Sequence, residues 1–230
     1  MWAKFVKSFI YNEGYKTVLD GLANTARIAL FGFLIGLLVG GLVAAFKVAG
    51  SKNKVAKGLS YIGDVYVTFF RGTPIIVQLL IFYYVLFPLL GVNIDKLLVA
   101  IVTFGLNSGA YVSEIIRSGI LSIDVGQMEA GRSLGLSYSS TMFKIVLPQA
   151  LKNSVPALGN EVIALVKDTS VASFIAIIDL TKAFQLIGSS TYEFIVPYLV
   201  LAAIYLVIVL AFTGVIKLIE RRMRKGDRRH

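Results

Sequence analysis

Three stretches of this chain run the length of a bilayer core without a charged residue: Ile28–Phe46 is 19 residues, Gly72–Ile94 is 23 and Phe194–Ile216 is 23. A helical crossing needs about 20 mainly apolar residues, so each run is expected to span a membrane. Two further windows are interrupted but long enough to cross. Leu97–Ile123 carries Glu114 and Arg117, and Ala150–Ile178 carries Lys152, Glu161, Lys167 and Asp168. The fold class expected is therefore an all-α membrane protein of about five transmembrane helices, a single transmembrane domain over residues 1–230. Pro74, Pro148 and Pro156 sit near the starts of the second and fourth spans, which are expected to be broken or preceded by short segments. Composition agrees: 57% of residues are hydrophobic and 16% charged, where soluble domains carry about 25% charge, and the mean hydropathy is +0.78.

The same composition excludes several chemistries. There is no cysteine, so disulfides, thiolate-held metals and thiol catalysis drop out. The one histidine is the terminal His230, which removes histidine acid/base chemistry from any packed interior. No catalytic residue, metal site or cofactor is expected. Residues 1–16 lack the apolar core and cleavage site of a signal peptide, so no cleavage is expected there. Trp2–Asp20 mixes Lys4, Lys7 and Lys16 with Phe5, Val6, Phe9 and Ile10, which predicts an interfacial helix lying on the membrane.

Lys and Arg also set orientation, because cytoplasmic loops are enriched in them. Fifteen fall after spans one and three and in the tail, namely Lys47, Lys52, Lys54 and Lys57; Arg117, Arg132, Lys144 and Lys152; and Lys217, Arg221, Arg222, Arg224, Lys225, Arg228 and Arg229. Five fall on the other side, at Lys4, Lys7, Lys16, Lys96 and Lys182. The N-terminus is expected outside and the C-terminus in the cytoplasm. The net charge of +10 is then mostly a topology signal, and no nucleic acid partner is expected.

Between spans three and four, Ser118–Ala150 is the most polar internal stretch. Gln127–Leu134 is expected to form a helix after Asp124 and Gly126, Gly135 to turn the chain, and Ser137–Val146 to resume it. Glu129-Ala130-Gly131, followed by Gly135, Ile145 and Leu147-Pro148, resembles the cytoplasmic coupling-loop motif of bacterial ATP-binding cassette importer permeases. Four more stretches resemble the polar amino acid subgroup: Phe70-Arg71-Gly72-Thr73-Pro74 with Gln78; Gly109-Ala110-Tyr111 with Glu114 and Arg117; Leu147-Pro148-Gln149-Ala150; and Gly159-Asn160-Glu161 with Lys167-Asp168-Thr169-Ser170. The resemblance runs from about Gly21 to Thr213. It departs at Gly131, where the family usually has a second alanine.

The resemblance implies a permease subunit of a prokaryotic inner membrane, with a cytoplasmic coupling loop at about 118–150. Its expected partners are membrane lipids, an ATP-binding subunit dimer, a second permease copy as homodimer or related heterodimer, and an extracytoplasmic amino acid binding protein. Glu129, Ala130, Gly131, Gly135, Leu147 and Pro148 are the candidate coupling residues. ATP hydrolysis would lie on the partner, since a phosphate-binding loop needs a Gly-Lys pair and this sequence contains none. A carrier driven by an ion gradient is the alternative, although inverted halves are not visible.

Ionisable residues inside spans cost about 2.5–3.5 kcal/mol each and usually face a cavity or a partner. Glu161 and Asp168, seven residues apart, differ by only about 20° around a helix. Asn107, Tyr111 and Glu114 form a stripe on span three, which Gln78 of span two could join. Two facing stripes would enclose a small polar chamber, so the candidate substrate-binding residues are Glu161, Asn160, Glu114, Asn107, Tyr111, Gln78 and Asp168, suited to a basic amino acid. Internal pairing, such as Glu114 to Arg117 at i, i+3, is the competing account. Arg71-Gly72-Thr73-Pro74 is read as structural, and Gly32, Gly36 and Gly40 as a helix-packing face.

Overall fold

The computed structural model describes residues 1–49 and 54–227, which are helix, turn and loop with no strand among them. Lys52, Arg228, Arg229 and His230 lie outside the described residues. In chain order the helices are α1 (Trp2–Val6), α2 (Gly14–Ala49), α3 (Lys54–Gly72), α4 (Ile75–Ile81), α5 (Phe87–Leu89), α6 (Lys96–Leu121), α7 (Val125–Ser133), α8 (Tyr138–Thr141), α9 (Leu147–Asp168), α10 (Leu180–Thr191) and α11 (Ile195–Asp227). Wider π turns extend α1 through Tyr11, join α4 to α5 and join α8 to α9.

Three helices are long and apolar enough to cross a membrane: Gly14–Val48, Lys96–Leu121 and Ile195–Met223. A fourth crossing is available if Val55–Gly72 and Ile75–Leu89, bent by 107° to each other, act as one broken span. Helix α9 is not among them, because Gln149, Lys152, Asn153, Asn160 and Glu161 keep its hydropathy low. Helix α11 buries little of itself within the chain, and Leu206, Val207 and Leu210 on it are each more than half exposed, as suits a lipid-facing span.

The core pairing is α2 against α6, and the small-residue face of α2 makes it possible. A Cβ at Gly40 would lie 2.7 Å from Gly109 O and from Val112 Cβ, and one at Gly105 would lie 2.7 Å from Ile35 Cβ. Gly32 meets Phe104, Gly36 meets Ser108 and Gly40 meets Gly109 and Val112. The numbers rise together, so the two helices run parallel, backbone close to backbone. Helix α9 runs antiparallel to α6, since Ser154 Oγ donates to Ile115 O at 3.3 Å and Ser108 Oγ to Glu161 Oε1 at 2.8 Å. Helix α11 reverses again, with Ile216 against Gly159 and with Ile208 and Phe212 lining one pocket together with Val162 and Val166.

Two boundaries, the setting of α1 and the helix at Pro156 differ from expectation. Residues 14–20 are the first turns of α2 rather than part of an interfacial helix, because charged flanks limit how much of a helix lipid can bury and not how far the helix extends. Helix α1 packs on the protein: Phe5 is buried beside Phe184 and Ile187, Ser8 Oγ lies 3.1 Å from Ser190 Oγ, and Lys4 Nζ lies 3.5 Å from Glu193. The fourth window, expected to run to Ile178, ends as α-helix at Asp168. Thr169 Oγ1 donates to Val166 O and Ser173 Oγ to Ser170 O, and the backbone tightens into a 3-10 helix over Thr169–Ile175 that stops at Ala176, at φ 56°. Short hydroxyl side chains bonding back to the preceding turn are a recognised competitor of the α-helical ladder. Pro74 does mark a break, whereas Pro156 lies inside an uninterrupted α9.

Candidate functional site

The polar residues of the spans separate into two groups. Gln78, 1% exposed, donates from Nε2 to Phe70 O and Thr73 O, both at 2.9 Å, and lies 2.8 Å from Thr73 Oγ1. Asn107 Nδ2 donates to Gln78 Oε1 at 2.9 Å and to Phe70 O at 3.1 Å. The bend at Arg71-Gly72-Thr73-Pro74 leaves the last carbonyls of α3 without helical partners, and these two amides take them up. Gln78 and Asn107 are thereby occupied in fixing the sharp turn between α3 and α4.

Glu114 is occupied too. Its carboxylate lies 2.6 Å from Lys47 Nζ, 2.9 Å from Arg117 Nη2 and 3.9 Å from Arg71 Nη1, and Lys47 reaches Asp64 at 2.9 Å. Arg71 lies over the Tyr111 ring, 5.2 Å from its centroid. The i, i+3 pairing with Arg117 was legible in sequence. Lys47 and Asp64 were not, because Lys47 falls one residue beyond an uncharged run and reads as loop charge. The stripe of Asn107, Tyr111 and Glu114 therefore faces α2, α3 and α4, and does not face α9 as expected.

Helix α9 keeps a different set. Glu161 accepts one hydrogen bond, from Ser108 Oγ at 2.8 Å, a residue that sequence reasoning missed. Among the described residues neither Glu161 nor Asp168 has an ion pair. Helix α9 is unbroken between them, so they share a face two turns apart. Asn160 and Asp168 are exposed and Glu161 is half-buried.

The candidate coupling segment is built as its residues dictate. Asp124 caps α7 by accepting from Gly126 N at 2.6 Å, and Ser137 caps α8 by accepting from Ser140 N at 3.1 Å, the usual work of Asp and Ser at N-caps. Gly135 stops α7 at φ 84°, with Gly135 N donating to Arg132 O and Leu136 N to Gly131 O, the bonding of a Schellman turn. Gly131 is buried, and a Cβ there would lie 2.5 Å from Thr141 Cγ2. Its smallness thus holds α7 on α8 rather than offering a surface. Leu147 and Pro148 form the base of α9. On α7 Gly126, Gln127, Glu129, Ala130, Arg132, Ser133 and Val125, at 70%, are exposed, as is Leu134 just after it, at 82%. Val125 and Leu134 went unnoticed in the sequence, where two isolated apolar residues in a polar loop carry no periodic signal.

Residues 32–225 match the family described as the binding-protein-dependent transport system inner membrane component. The chain belongs to that family. Among relatives of the permease, the "Arginine transport system permease protein ArtQ" of Bacillus subtilis (strain 168) is 40% identical over 91% of this chain and 94% of its own. The "L-cystine transport system permease protein TcyB" of the same organism is 39% identical over 88% and 85%, and the "Putative glutamine transport system permease protein GlnP" of Rickettsia bellii (strain RML369-C) is 36% identical over 90% and 92%. The crystal structure of an amino acid ABC transporter with histidines matches the permease with a TM-score of 0.84 and 37% identity, over 92% of this chain and 96% of that one. The permease is thus a multi-pass inner membrane component of an amino-acid ATP-binding cassette importer.

Proposed function

We propose that this permease moves basic amino acids inward, with Glu161, Asp168 and Asn160 meeting the substrate. One observation carries the reading: among the described residues two carboxylates on one face of α9 make no ion pair, whereas Glu114 engages three cations. A substrate cation would supply the missing charge, and an unpaired ionisable group in a span marks a transport path more often than a packing contact. The printed names of the relatives, arginine for one and histidines for the solved structure, support the same class. Glu114, Asn107, Tyr111 and Gln78 position the helices around that path.

Five crossings fit the helix directions, and the Lys and Arg bias of the loops and tail supports an N-terminus outside and a C-terminus in the cytoplasm. Helices α2, α6 and α11 run one way, so the chain must return twice, once through the bent α3–α4 unit and once through α9. Residues 1–230 then form one transmembrane domain that carries the coupling loop at its cytoplasmic end. There Glu129, Ala130 and Leu134 dock on a separate ATP-binding subunit, present as a dimer opposite two permease copies, while a binding protein delivers the amino acid from outside.

The test is ATP hydrolysis by the permease in liposomes with its ATP-binding subunit, comparing arginine with glutamine, each on its binding protein. Stimulation by arginine alone is expected; stimulation by glutamine alone would remove the basic selectivity. Glu129→Ala is expected to abolish the stimulation while the permease stays folded, and full stimulation would remove the docking assignment.

A further inference from the structure

Away from the α9 carboxylates, the opposite end of the bundle from the coupling segment holds a cavity of about 410 Å³. That volume lies within the usual range of about 300–1,000 Å³ for small-molecule sites. Asp20, Asn24 and Arg27 line it from one face of α2, and Asp95 and Lys96 from the start of α6. Ile177 and Ile178 close it from the segment that follows the 3-10 helix. Two of its charges are positive and two negative, and among the described residues none of the four makes an ion pair. Elsewhere the chain does pair its charges when they lie close, as at Glu114, Glu193 and Glu13.

The polar contacts these residues do make hold the wall in place. Asn24 Nδ2 donates to Ile178 O at 2.9 Å, Lys96 Nζ donates to Ala176 O, Arg27 Nη1 donates to Asn24 Oδ1 at 3.2 Å, and Asp95 caps α6 by accepting from Leu97 N at 2.8 Å through Oδ1, which leaves Oδ2 for a ligand. Lys96 and Asn24, from two different spans, thus bind the carbonyls at and just beyond Ala176, a residue in the left-handed region at φ 56°.

We infer that this cavity is an outer binding site for the zwitterionic head of a free amino acid, its carboxylate meeting Arg27 and Lys96 and its ammonium meeting Asp20 and Asp95. The site is net neutral and carries both signs, as a zwitterion requires, and a ligand bearing only one charge would leave two wall charges unanswered. The inference rests on the amino acid import proposed above and adds an entry site to it. A substrate released at the mouth would be held there before it reaches Glu161. The two places are joined by the backbone itself, from Asp168 through Thr169–Ile175 to Ile177.

The experiment uses full-length permease in phosphatidylcholine nanodiscs, in a Glu161→Gln, Asp168→Asn background that silences both inner carboxylates. Equilibrium binding of radiolabelled L-glutamine and L-arginine is measured, with agmatine, which lacks the carboxylate, as competitor. Both amino acids are expected to bind saturably and agmatine to compete poorly. Arg27→Gln and Asp20→Asn are each expected to weaken binding about tenfold, the scale of one charge-assisted hydrogen bond, with Arg27→Lys restoring most of it. Arg27→Lys also separates lost contacts from lost folding.

Equal binding by the variants, agmatine competing as well as arginine, or no saturable binding in that background would overturn the inference. So would variants that lose only stimulation by the binding protein, which would make the cavity a protein-docking surface. The import proposal fails separately, if the complete wild-type complex takes up no amino acid; full uptake without this binding removes the outer site alone.

Discussion

Glu114 on α6 and Glu161 on α9 are both carboxylates inside helices that the sequence reads as spans, and their surroundings are opposite. Glu114 is held by Lys47, Arg117 and Arg71, drawn from α2, α6 and α3, with Asp64 completing the group. Glu161 has a single serine hydroxyl. A carboxylate whose charge is already answered by three cations ties helices together and has little left to offer a ligand. One stabilised by a neutral donor alone keeps its charge available. Membrane carboxylates are therefore sorted by their partners, not by their depth in a span.

The largest expected effect that would break this contrast comes from Glu114→Gln. It leaves three cations facing one another, and the loss of one partner from a largely buried group of this kind costs about 3 kcal/mol. A clear fall in melting temperature in detergent is expected, and an unchanged value would show that the cluster is not structural. Glu161→Gln should do the reverse, with arginine uptake down about tenfold, or about 1.4 kcal/mol, at nearly unchanged melting temperature.

A double-mutant cycle sharpens the point. Lys47→Met combined with Glu114→Met should destabilise less than the sum of the single changes, by about 1 kcal/mol or more, and strict additivity would mean that the 2.6 Å contact contributes nothing. The smallest effect belongs to Ser108→Ala, which removes one hydrogen bond from Glu161, worth about 1 kcal/mol. A few-fold change in arginine affinity is expected, with no loss of folded protein.

Much of the architecture was legible because the governing signals are local. Uncharged runs located α2 and α11, Gly32, Gly36 and Gly40 announced a close helix-packing face on α2, and Asp124, Gly135 and Ser137 punctuated the candidate coupling segment in the order observed. What escaped was set by which helix meets which. Helical spacing put Asn107, Tyr111 and Glu114 on one stripe but could not say that the stripe faces the α3–α4 bend, which is a tertiary matter. Lys47 read as a loop charge and Asp64 drew no reading, because only the packing of α2, α3 and α6 brings them to Glu114. The end of α9 at Asp168 was hidden for a related reason: the hydropathy of Val171, Phe174 and Ile175 continues past it, while the hydroxyls of Thr169 and Ser173 redirect the backbone.

On this reading the carboxylates of α9, and not the paired Glu114, set the charge of the substrate. That assignment is tested most directly by arginine and glutamine uptake into proteoliposomes holding the permease, its ATP-binding subunit and binding proteins, wild type against Glu161→Gln. A selective loss of arginine uptake, with glutamine uptake no worse than in wild type, is the predicted result. Equal arginine uptake by the two proteins would contradict it and leave Glu161 as a helix-packing residue.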